Sequence, residues 1–328
     1  MGPLVPFQAT HALGTHRRDP VPGPVARLAC KHLQRSHPLP PYPGIETVTT
    51  ALAWTCPTCA IPVSTAYCPG CGESPPRARD LTLRGLFQQT IQAFTSIDGK
   101  LVRSLRCLLA DPGALTAAYI EGRRKPFVAP FQLFLVANVV FFAMQSLTRT
   151  RILSSPLHSH LHDQDWAALA QTLVAHRLEQ LHTTLDLYAP VFDQAAVLNA
   201  KSLIVLMALP FALLLPAVYP RNRLPFVAHV VFSLHVYAFL LLLFCASLAL
   251  AGLETLSGGA GLSSSWMDFV LTALILACCA TYLYRATGRV YGARGGTRIA
   301  KAALLALSVG VLVPGYRFAI FLVTLYTT

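Results

Sequence analysis

The chain has 328 residues, 54% of them hydrophobic and only 12% charged, with a mean hydropathy of +0.52, which excludes an ordinary soluble domain and points to the membrane class. The net charge of +12 invites a nucleic-acid reading, because Lys and Arg neutralise phosphates. Its distribution argues against that partner: 14 of the 26 Lys and Arg precede residue 126 and seven more sit in short loops between apolar runs, where anionic lipid and the positive-inside rule place them.

Residues 1–50 are rich in Pro, His and Arg and carry neither helical nor strand period, so a disordered extension is expected. They lack a basic start followed by an apolar core, so no signal peptide is read and membrane delivery falls to the first spanning helix. Residues 51–76 contain CPTCAIPVSTAYCPGCG, in which Cys56, Cys59, Cys68 and Cys71 form two Cys-x-x-Cys pairs. Each pair bends into a knuckle offering two thiolates, and two knuckles on a short hairpin complete the tetrahedral shell that zinc prefers. Four thiolates leave no position for a catalytic water, so a structural zinc ribbon is expected. Iron in a rubredoxin-like site is the alternative on ligand grounds. Four of the nine cysteines thus serve a metal pattern, and Cys245, Cys278 and Cys279 lie in apolar runs, so the N-terminal region reads as reduced and cytosolic.

Residues 77–125 form a basic juxtamembrane region. Leu83, Leu86, Phe87, Thr90, Ile91 and Phe94 recur at helical spacing, and Leu101, Leu105, Leu108 and Leu109 stand beside Lys100, Arg103 and Arg106. Interfacial helices on the inner leaflet and helices packed on the cytosolic ends of the spans both fit this pattern. Asp111-Pro112-Gly113 then restarts a helix, with Asp111 as its expected cap.

Residues 126–328 are read as a five-helix transmembrane domain, and the fold class as mainly α. Phe127 to Thr148 is free of charge, and its 22 residues at 1.5 Å rise cross roughly 33 Å. The second span, 202–219, is expected to kink at Pro210 and Pro216. The third and fourth cover 226–252 and 266–284, the latter opened by Trp266 and closed by Tyr282 and Tyr284 at the interfaces. The fifth covers 302–325, with Arg317 snorkelling to the far headgroups. Arg123, Arg124 and Lys125, then Arg221 and Arg223, then Arg285, Arg289, Arg294, Arg298 and Lys301 mark three cytoplasmic segments. This alternation predicts a multi-pass protein of the bacterial inner membrane with its N-terminus cytoplasmic and its C-terminus outside.

The outer loop, 149–201, carries His158, His160, His162, Asp163 and Asp165, which read either as a polar mobile loop or as metal ligands. Val174, Leu178, Leu181, Leu185, Tyr188 and Phe192 alternate by three and four, a seam that either pairs with a partner or caps the bundle. His229 and His235 lie in the third span, where ionisable groups are either functional or hydrogen-bonded to a neighbouring helix. Neither joins a His-Glu-x-x-His motif, and no Gly-x-Ser-x-Gly nucleophile turn is present.

The zinc knuckles followed by LVRSLRCLLADPGALTAAYIEGRRKPFVAPFQLFL, KSLIVLMALPFALLLPAVY and FVAHVVFSLHVYAF resemble, in order and residues, the bacterial membrane proteins grouped as domain of unknown function 3667. Asp111, Pro112, Gly113, Tyr119, Gly122, Arg123 and Pro130 fit that family's juxtamembrane pattern, whereas Ala228 and Phe127 depart from it. The resemblance, over about residues 54–325, implies a shared membrane architecture, and the family itself has no established activity. With no catalytic constellation legible, the expected function is non-enzymatic: a zinc-ribbon platform for a protein partner, anchored in the lipid bilayer. A transporter or lipid-handling protein using polar groups in spans two and three is the alternative.

Overall fold

The computed structural model describes residues 54–75, 82–84, 99–148, 152–256 and 265–328. The N-terminal extension and nearly all of the amphipathic stretch expected at 83–94 lie outside the described residues. The described chain begins with β1 (Trp54–Thr55) and β2 (Pro62–Val63), an antiparallel pair in which Trp54 faces Val63 and Thr55 faces Pro62. Ten helices follow among the described residues, and no further strand.

Two short helices lead to the membrane: α1 (Lys100–Ala110) and α2 (Ala114–Ile120). The Asp111 side chain does not cap α2, contrary to the sequence expectation. Its backbone N–H closes α1 on the Cys107 carbonyl, its own carbonyl accepts from Ala114, and its carboxylate pairs with Arg289. The entry residue of α2 is instead Gly113, at φ +84°. A Cβ there would stand 2.9 Å from the Cα and carbonyl oxygen of Ala286, so glycine is required both by the left-handed backbone and by the close approach of another helix.

The spanning helices follow. Helix α3 (Pro130–Thr148) starts with proline at its first turn, where a missing N–H costs nothing. Next come α4 (Leu157–His162), α5 (Ala167–Leu181), α6 (Leu185–Leu203) and α7 (Val205–Val218). The set closes with α8 (Phe226–Leu256), α9 (Ser265–Val290) and α10 (Gly295–Thr327). Among the described residues four helices are long and apolar enough to cross a membrane, and a fifth span arises if the α6–α7 pair counts as one. That pair bends by 44°, as expected of the second span, but the bend falls at Ile204 and both prolines lie inside an unbroken α7. Proline crowds the carbonyl four residues before it, so Pro210 strains the chain on its N-terminal side, next to this break.

Helix α8 is the axis of the bundle. It packs along α3 and α7 and touches α9, α2 and α1. Phe141 meets Phe244 at 5.9 Å, Phe211 meets Tyr237 edge-on at 5.8 Å, and Phe239 stacks on Tyr282 at 4.0 Å. Outward, Val139, Leu147, Leu213, Leu250, Phe269, Leu274, Leu307 and Val311 are exposed, a belt of apolar side chains contributed by every span. In water such a surface would aggregate; in lipid it is the matching solvent.

The expected outer loop is helical rather than irregular. Leu157, Leu161, Ala170, Val174, Tyr188, Phe192 and Ala196 form a separate apolar cluster with Phe321 and Leu325 near the end of α10. The 33 residues of α10 measure about 50 Å, whereas the hydrocarbon layer is about 30 Å. Arg298 to Arg317 already covers about 28 Å. Its last ten residues supply Phe321 and Leu325 to a cap that α4, α5 and the first turns of α6 make against its end. The seam read from Val174 to Phe192 is not one continuous stripe: His182, at φ +49°, ends α5, so Leu181 and Leu185 are exposed at the corner while Val174, Tyr188 and Phe192 are buried. Capping the bundle is what these residues do. Arg317 is half-buried and donates to Ser155 Oγ at 2.7 and 3.1 Å, which gives its charge a partner inside the cap.

Candidate metal centre

The four cysteines sit on two turns with the same hydrogen-bond pattern. In the first, Cys56 N–H donates to the Ile61 carbonyl at 2.9 Å and Ala60 N–H to the Cys56 carbonyl at 2.8 Å. In the second, Cys68 N–H donates to the Glu73 carbonyl at 2.7 Å and Gly72 N–H to the Cys68 carbonyl at 2.8 Å. Each turn reverses through a left-handed residue, Gly72 at φ +71° and Ala60 at φ +58°. Glycine adopts this backbone freely, and alanine does so at a cost of about 1 kcal/mol.

The pairing of β1 with β2 brings the turns together, and all four Sγ atoms lie within 4.8 Å of one another. Cys56 and Cys71 Sγ are 3.5 Å apart, close to the roughly 3.8 Å that tetrahedral ligation at 2.3 Å demands. The donor set therefore fits a cation of zinc's size and softness, and it is the sole cluster of three or more metal-ligating side chains among the described residues. Burial pushes the Cys71 and Cys59 thiols up, so a cation must draw out the thiolates at those two positions, whereas at Cys68 burial is outweighed by the Cys71 and Gly70 backbone amides, which lower it. The apolar core of the ribbon is only Cys56, Val63 and Cys68, too little apolar material to hold it folded alone.

Glu73 was not legible as a site residue, yet it is 4% exposed and connects the ribbon to the membrane domain. Its Oε2 accepts from Thr58 Oγ1 at 3.1 Å, in the first knuckle, and from the backbone N–H groups of Arg124 at 3.2 Å and Lys125 at 3.1 Å. The sequence held one signal: Glu73 is the lone acidic residue between Glu46 and Asp80.

The His candidates separate. His229 Nδ1 lies 2.9 Å from Tyr291 Oη, and Tyr291 also stacks on Tyr219 at 4.3 Å. His235 Nδ1 lies 2.8 Å from Thr116 Oγ1, which ties α8 to α2. Both are buried and hydrogen-bonded to neighbouring elements. A 160 Å³ crevice runs beside this helix, lined by Leu83, Phe131, Val205, Ala208, Leu209, Val230 and Leu234; neither His lines it. In the cap, His158 and His162 stack one turn apart on the surface at 4.3 Å, while His160 turns inward. The three imidazoles do not converge on one point, and no carboxylate joins them in a metal cluster among the described residues.

The fold and the cluster define a multi-pass helical membrane protein carrying a compact four-cysteine candidate metal centre. Residues 98–142, from α1 through most of α3, match the family described as protein of unknown function (DUF3667). That stretch contains Gly113, Thr116 and the Arg124–Lys125 amides, the groups on which α9, α8 and the ribbon converge. No curated protein and no solved structure matches the chain.

Proposed function

We propose that Cys56, Cys59, Cys68 and Cys71 hold a structural zinc ion and that the chain is a non-enzymatic docking protein of the bacterial inner membrane. Its N-terminus is cytoplasmic and its C-terminus outside, by the placement of basic residues. The observation that carries the reading is the closed four-sulfur cluster held firmly against the juxtamembrane turn, with Ile61 and Tyr67 exposed on the ribbon surface. A rigid module with exposed apolar side chains beside the membrane is suited to receive a protein partner. Four thiolates around one ion leave no position for substrate or water, which supports a structural rather than a catalytic metal.

The test is in-cell crosslinking from native membranes, comparing the intact chain with one lacking residues 51–76. A protein captured only with the ribbon present is the expected result, and an unchanged set of bound proteins would sink the docking reading. The transport alternative draws on the break at Ile204, since broken spans build transporter sites. Replacing His229 and His235 by Leu separates the two readings: docking survives in an inserted protein, and transport does not.

A further inference from the structure

Glu73 lies where it does because both knuckles are closed. Its carbonyl accepts the Cys68 N–H inside the second knuckle, and its carboxylate accepts the Thr58 hydroxyl of the first. The same carboxylate oxygen reaches across 52 positions of sequence to the Lys125 N–H, and across 51 to the Arg124 N–H, which also contacts the Gly122 carbonyl. The turn it grips follows Gly122, at φ +83°, and carries three consecutive cations at the entrance to the first span: Arg123 pairs with Glu121, Arg124 lies 4.7 Å over the Tyr119 ring, and Lys125 is exposed. Only three apolar residues are buried in the ribbon, so the ion rather than apolar burial sets whether the two knuckles stay together.

We propose that Glu73 is a metal-dependent latch: zinc at the four cysteines holds its carboxylate on the Arg124–Lys125 amides, and loss of zinc releases the basic turn at the membrane surface. The ribbon then reports its metal state to the membrane domain, a regulation that rests on the structural-zinc reading above. Removing the ion separates Thr58 from the Cys68–Glu73 turn, the carboxylate loses its fixed position, and two backbone donors pass from a buried acceptor to water. The released segment presents Arg124 and Lys125 to anionic headgroups without a compensating carboxylate beside them.

The test is hydrogen exchange on the full chain in lipid nanodiscs, zinc-loaded and chelator-treated, read at residues 122–127 and in the ribbon, with metal content measured on each sample. Chelation is expected to speed exchange of the Lys125 amide at least about tenfold. Glu73→Ala is expected to speed it as much while the protein still carries one zinc, and chelation of that variant to add nothing further at the turn. A zinc-loaded chain whose turn exchange is unchanged by chelation, or by Glu73→Ala, overturns the latch and leaves the zinc reading standing. A well-inserted chain that binds no zinc overturns both.

Discussion

Acidification should loosen the cap through His160. This imidazole is 2% exposed, stands 4.8 Å from the Phe321 ring, and accepts the Trp166 Nε1–H on Nδ1 at 3.2 Å, so it is neutral with its proton on Nε2. Burial, reinforced by the nearby Arg317 charge, lowers its pKa from 6.5 to about 4. When the cap opens, the ring returns to water and its ordinary pKa. Between these values the opened form binds a proton that the closed form does not, so stability is complete above about pH 6.5 and falls as the pH drops towards 4. The gap corresponds to at most about 3 kcal/mol. The assay is the free energy of cap opening, from hydrogen exchange of α4 and α5 corrected for intrinsic rates, at several pH values in detergent. His160→Gln keeps an acceptor for Trp166 without titrating, and the other ionisable groups of the cap are common to both proteins. Loss of most of the pH slope in the variant is expected. An equal slope in both, or a directly measured His160 pKa near 6.5 in the folded chain, would refute the reasoning.

Four further outcomes follow from the geometry. Gly113→Ala must place a methyl group against the Ala286 backbone from a left-handed residue, so a loss of at least about 2 kcal/mol is expected, visible as a lowered thermal midpoint in detergent. Ala60→Gly relieves the strained turn of the first knuckle and should slow zinc release to a competing chelator severalfold, whereas slower release in wild type would contradict the matched-turn argument. Changing Cys56 and Cys59 to Ser should abolish metal binding and expose the ribbon to protease while the spans remain inserted, as read by labelling of loop residues. Thr116→Val leaves His235 Nδ1 without its hydroxyl partner, and about 1–3 kcal/mol of stability should be lost; Thr116→Ser should restore most of it.

The spans were legible because length and lack of charge are local properties: α3, α8, α9 and α10 fall where apolar runs of sufficient length fall. The cysteine cluster was legible for a similar reason, since ligand type and spacing are written within 16 consecutive residues. What escaped depends on partners distant in sequence. Asp111 looked like a helix cap because Asp before Pro-Gly often is one, but Arg289, 178 residues away, claims its carboxylate. The histidine-bearing segment looked like a loop because its polar residues mask the period, yet Leu157 and Leu161 lie on one face and find Phe321 and Leu325 at the far end of the chain. Pro210 and Pro216 announced a bend without giving its position, because the break depends on how α6 and α7 each follow α10. Glu73 was invisible as a site residue because its partners are backbone amides, which no side-chain pattern records.

The wedge of α2 between α8 and α9 has a consequence for biosynthesis. Thr116 meets His235 across 119 positions, and Asp111 meets Arg289 across 178, so the segment next to the first span finds its partners only after the later spans have been made. At ordinary elongation rates the longer wait is about 10 to 35 seconds. During that interval α2 and the turn beside it are open to whatever quality-control machinery surveys the nascent membrane protein. A chain that stalls before its fourth span would leave the Asp111 carboxylate without its Arg289 partner.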